Sequence, residues 1–114
     1  MAILSKDDIK NVDDLTLRTV AVPEWNGEVC VKSLSGRARS NIEAKVQRDV
    51  NPGEIRIDIV MGGACDEDGN LLFTDKDDRK WLQEKNASAL DLIATEILEV
   101  SGMNKDSVGD AEGN

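Results

Sequence analysis

The chain has 114 residues, enough for one domain that buries about two-thirds of its unfolded surface. It carries a formal charge of −9, no His, no Tyr and only three aromatics, Trp25, Phe73 and Trp81, so its core must be aliphatic. That charge argues against a nucleic-acid binder, which needs clustered Lys and Arg, and against a partner of anionic membrane surfaces.

The charge is uneven. Lys32, Arg37, Arg39, Lys45 and Arg48 against Glu43 give residues 32–48 a net +4, leaving −13 for the rest. Such a segment is a solvated helix face, or a surface that meets the acidic part of a partner or of another copy. Self-association through these complementary surfaces is expected. Cys30 and Cys65 are the only cysteines. They read as free, mostly buried thiols in a reducing cytoplasm. Two cysteines without His make a poor zinc site. No signal peptide or membrane-length apolar run is visible.

The first residues allow a short helix capped by Ser5, with Asp8 as the reciprocal partner of a capping box. Only Ile9 and Val12 are available to dock it, so it is marginal. Residues 15–22 (LTLRTVAV) and 28–34 (EVCVKSL) read as strands. Asn26-Gly27 between them is a strong hairpin signal, because a type I′ turn needs positive φ at both central positions. Trp25, beside the turn, is placed to cover one end of the core.

Ser35 caps a helix over 36–49, with Ala38, Ile42 and Val46 as a thin apolar stripe. Arg37, Arg39, Lys45 and Arg48 lie on the opposite side. Residues 54–65 read two ways. Ile55, Ile57, Ile59 and Met61 alternate as in a strand, yet Asn51, Pro52 and Glu54 are helix-start signals. Gly62-Gly63 ends either element.

Residues 66–70 (DEDGN) form a tight turn, with Gly69 supplying positive φ. Leu71–Phe73 follow as an extended run. Thr74 reads as the cap of the next helix, with Asp75 and Asp77 at its positive end and Trp81 and Leu82 as its apolar residues. Asn86 caps the last helix, 87–101. On a helical wheel Ala89, Leu90, Ile93, Ala94, Ile97, Leu98 and Val100 cover about half the circumference, a stripe wide enough for more than one neighbour. Leu92 stands alone in the polar half, as an exposed residue or a contact point. Gly102 suits the position after the helix, with Met103 folding back. Residues 104–114 have no apolar periodicity and read as a disordered acidic tail, dispensable for folding.

The fold class is therefore α+β: an N-terminal β-hairpin and a mainly helical remainder of about four helices. It forms a single domain over 1–103, followed by the tail. No catalytic constellation is visible. The usual base for a Ser or Cys nucleophile is missing, and there is no phosphate-cradling Gly loop. A calcium loop with Gly69 at position six would start at Ala64 and end at Asp75, lacking its first ligand and its bidentate Glu. The expectation is no enzyme, no cofactor and no metal.

Three pieces together resemble the tail assembly chaperones of long-tailed bacteriophages: VPEWNGEVCVKSLSGRARSNIE, CDEDGNLLFTDKD and WLQEKNASALDLIATEILEVSG. The resemblance spans roughly residues 15–103 and rests on the order and spacing of Val22–Gly27, Leu34–Arg39, Asp66–Gly69, Leu72–Asp75 and Leu82–Leu90. It inclines the reading of 54–65 towards helix. It implies a non-enzymatic assembly factor of the host cytoplasm, absent from the finished virion. Such a factor binds the tape-measure protein and helps recruit tail-tube protein, often through a longer frameshifted form. Leu92, Trp81 and Phe73 are then candidates for contact with helical client segments, and Arg37, Arg39 and Arg48 for charged contacts. The alternative is a minor structural tail protein, a terminator or completion component, forming a ring in the virion.

Overall fold

The computed structural model describes residues 2–103. The tail read from the sequence at 104–114 lies outside them. In chain order the elements are α1 (Lys6–Asn11), β1 (Leu17–Val22), β2 (Gly27–Lys32), α2 (Gly36–Gln47), α3 (Pro52–Gly63), β3 (Ala64–Cys65), α4 (Lys76–Leu82) and α5 (Ala87–Val100). The α+β class, the hairpin and the helical remainder stand as read. The sheet gains a third strand, in the order β1-β2-β3 and antiparallel throughout.

The hairpin does not close through a two-residue Asn26-Gly27 turn. Val22 pairs with Gly27, and a 3-10 turn over Pro23–Trp25 bridges them. Asn26 alone takes the left-handed conformation, at φ 53°. Pro23 explains the change: its fixed φ begins a helical turn and ends the ladder before Asn26 is reached. Trp25 packs against the core, as its position implied.

Arg18, Val20 and Val22 share one face of β1, and Arg18 bonds Glu96 of α5 at 3.0 Å. Val29 and Val31 pair with Val20 and Arg18 and so lie on that same face. Helix α5 covers this face and packs with its other side on α3. Its wide apolar stripe thus meets two neighbours. Ala89, Leu90, Ile93, Ala94, Ile97 and Leu98 are all buried. At its end Gly102 has φ +74°, and Met103 N–H donates to Leu98 O at 2.8 Å. Ser101 Oγ accepts the Leu34 N–H at 2.9 Å, tying the helix end to the segment after β2.

Residues 52–63 are helix, capped by Asn51 with Pro52 in the first turn. The strand-like alternation of Ile55, Ile57 and Ile59 has a tertiary origin. Helix α3 lies between α2 and α5 and also touches α4. A helix enclosed on several sides buries residues around most of its circumference and loses its periodicity. Ile55, Ile57, Ile59 and Val60 are all buried.

Gly62 and Gly63 set how closely these helices approach. A Cβ on Gly62 would lie 2.9 Å from Leu34, and one on Gly63 2.6 Å from the buried Ile97 side chain. Ile97 is β-branched and enclosed, so it has no free rotamer to move into. Gly63→Ala is expected to destabilise the domain by about 1–3 kcal/mol, the usual cost of overpacking. Chemical denaturation of the variant checks this.

Candidate protein-interaction surfaces

The N-terminal segment forms its helix but does not dock. Ser5 Oγ accepts the Asp8 N–H, and Asp8 accepts the Ser5 N–H at 2.9 Å. That capping box sustains α1 locally. No residue of α1 is buried. Ile3 is 98% exposed, and Leu4, Ile9 and Val12 are more than half exposed.

The basic segment separates into cations used internally and cations that face solvent. Lys32 Nζ donates to Gly69 O at 2.7 Å and steadies the acidic turn. Lys45 Nζ lies 2.7 Å from Asp58 Oδ2. Asp58 Oδ1 accepts from Arg79 of α4, and Arg79 also approaches Glu54 at 3.6 Å. Asp58 Oδ2 receives no directional hydrogen bond, so charge holds the Lys45 contact. One carboxylate thus links α2, α3 and α4. Arg39 makes only a loose pair with Glu43 one turn on. Arg37 and Arg48 are exposed and, among the described residues, have no ion-pair partner. Of the five cations, the structure leaves Arg37, Arg39 and Arg48 outward.

The acidic turn is self-contained. Asp66 Oδ1 accepts N–H bonds from Asp68 at 2.9 Å and Asn70 at 3.0 Å. The Asn70 N–H is the main reason its carboxyl is held below the usual carboxylate range. Gly69 takes φ +87° as the turn requires. Among the described residues no group of three His, Cys, Asp or Glu is arranged to hold a metal ion.

The next stretch also carries exposed apolar side chains. Helix α4 is capped by Asp75, not Thr74: Asp75 Oδ1 accepts the Asp78 N–H at 2.8 Å. The Thr74 N–H is instead a donor to Asp78 Oδ2. With Asp78 so fixed, its Oδ1 also accepts from Trp81 Nε1 at 3.2 Å. Trp81 meets Phe73 edge-to-face, with ring centroids 5.4 Å apart. Lys85 Nζ stands 5.8 Å from the Trp81 ring centre. Trp81 is 43% exposed rather than buried under the last helix as expected, and Leu71 and Leu72 are exposed as well. Phe73 is half-buried and joins this stretch to the core.

Leu92 differs from its wheel position. It is half-buried and packs against the core. Helix α5 is covered by the sheet on one side and α3 on the other, so the boundary of its polar half is partly enclosed. Leu92 and Phe73 therefore edge the core, and Trp81 projects from it. Leu71, Leu72 and the exposed apolar residues before β1 were not singled out from the sequence. For Ile9 and Val12 the signal was that two apolar residues are too few to dock a helix.

No described helix is long and apolar enough to cross a membrane. No family model and no curated relative matches the sequence. The chain is similar to the solved structure of the bacteriophage HK97 tail assembly chaperone, with a TM-score of 0.59 and 20% identity, covering 83% of this chain and 86% of that one. The resemblance read from the motifs is thus matched in three dimensions: the chain has the fold of a phage tail assembly chaperone.

Proposed function

We propose that this chain is a non-enzymatic tail assembly chaperone, which binds a tape-measure protein in the host cytoplasm and helps recruit tail-tube protein. The fold shared over most of both chains carries this reading. Two surface features support it. Trp81 with Leu71 and Leu72 offers exposed apolar side chains suited to an amphipathic client helix. Arg37, Arg39 and Arg48 offer outward cations for the acidic part of a partner or of a second copy of the chain.

Co-expression with the tape-measure protein tests the reading. The wild-type chain is expected to co-purify with the client and keep it soluble. The double variant Leu72→Asp/Trp81→Asp removes partly exposed side chains and the Phe73–Trp81 contact, at a cost of about 2–3 kcal/mol. It should fold and lose most of the client. A wild-type chain that leaves the client insoluble would refute the chaperone reading. A folded double variant that retains the client would move the docking surface elsewhere, with Arg37 and Arg48 tested next. Recovery of the chain in purified virions would make it a structural tail component instead.

A further inference from the structure

The antiparallel pairing of β2 with β3 sets Cys30 directly opposite Cys65, although they are 35 positions apart in sequence. Cys65 Sγ donates to Cys30 Sγ at 3.5 Å. Both thiols are free. Opposed residues in such a pair have Cα atoms about 4.5–5.5 Å apart, inside the usual range for a disulfide. The Lys32–Gly69 bond and the Cys65–Leu71 bridge hold this corner of the sheet in place, so the two sulfurs stay in register.

The two thiols differ in access. Cys30 is half-buried, whereas Cys65 is 2% exposed. A reagent reaches Cys30 first, and Cys30 is the sulfur poised to reach Cys65. We propose that Cys30 and Cys65 are a dithiol site, which a small-molecule disulfide such as oxidised glutathione converts to an intramolecular cross-strand disulfide.

The exchange runs in two displacements. The Cys30 thiolate attacks one sulfur of the reagent, whose S–S bond breaks, and the departing thiolate takes a proton from water. Cys30 then carries the mixed disulfide. Cys65 gives its proton to solvent, and its sulfur attacks Cys30 Sγ and expels the second small thiolate. Two protein thiols are oxidised and one small disulfide is reduced to two thiols. Burial, and then the neighbouring Cys30, push the Cys65 thiol up to about 11, while Lys32 opposes them and Asp66 adds to them.

Closure would change a particular part of the fold. Strand β3 has two residues and joins α3 to the acidic turn. A covalent link to β2 closes a long loop of the unfolded chain, which raises stability.

The test uses the full chain with oxidised glutathione under native conditions, followed by intact mass measurement and non-reducing peptide mapping. The expected product is a monomer lighter by two hydrogens, with Cys30 and Cys65 in one linked peptide. Its Tm should rise by about 5 °C or more, and dithiothreitol should reverse both changes. Cys65→Ser should stop at a lasting glutathione adduct on Cys30. Cys30→Ser should remain unmodified while folded. An unchanged wild-type mass, a lasting adduct on wild-type Cys30, or a disulfide between two chains would each overturn the proposal.

Discussion

Ile93→Asp is expected to abolish the cooperative unfolding transition, while Leu92→Asp, one residue earlier, leaves a folded protein. Ile93 is 1% exposed and belongs to the core. Aspartate there removes a large aliphatic side chain and sets a carboxylate in the apolar core. The combined cost is about 4 kcal/mol or more, comparable to the whole stability of many domains of this size. Leu92 is only half-buried, so its substitution forfeits part of one side chain's burial, about 1–2 kcal/mol, or roughly 5–10 °C in Tm. Thermal unfolding followed by circular dichroism separates the outcomes. A cooperative transition for Ile93→Asp would mean that α5 does not pack by the face described. Full retention of Tm in Leu92→Asp would mean that Leu92 is free of the core.

Asp58→Ala is expected to be the most damaging change at a charged residue. Asp58 is the shared acceptor of Lys45 and Arg79, whose side chains are each 25% exposed against its own 16%. Removing it leaves two partly enclosed cations facing each other, with Glu54 as their remaining counter-charge at 4.0 and 3.6 Å. Breaking a fully buried pair costs about 3–5 kcal/mol. Solvent access here lowers the expectation to about 2–3 kcal/mol. Adding Lys45→Met should recover part of that loss, because it removes one of the stranded charges. Denaturant titration of the single and double variants forms the necessary cycle. If Asp58→Ala is no less stable than the wild type, the three-helix link contributes nothing.

The two predictions sit on opposite sides of what a linear reading reaches. Helix α5 was legible because it is amphipathic, capped by Asn86 and closed by Gly102, all within one stretch of chain. The Ser5 box, the Ser35 cap and the Gly69 turn were legible for the same reason: each is a hydrogen bond or a φ angle set by near neighbours. The Asp58 link was not. Lys45 looked like a member of an outward basic face, and only the packing of α2 on α3 turned it inward. Gly63 read as a helix terminator, and it also leaves the room that Ile97 of α5 fills.

The candidate surfaces divide in the same way. Phe73 and Trp81 were named from their apolar character, and the tertiary structure placed them in contact and left Trp81 outward. Leu92 was assigned by wheel angle, and the packing of the sheet and α3 on either side of α5 put it at the edge of the core.

Local chemistry by itself determined most helix caps, the left-handed glycines at 69 and 102, and that the domain is α+β with an aliphatic core. Those properties depend on side-chain bonds to the nearby backbone and on apolar spacing within one element. The tertiary structure decided that residues 52–63 are helix despite their alternation, because a helix enclosed on several sides has too narrow a solvent side to impose a clear period. It decided that the third strand is Ala64–Cys65 and that Cys30 and Cys65 face each other. Strand pairing and burial depend on which distant segments come together, and a residue's own neighbours in the chain carry little of that information.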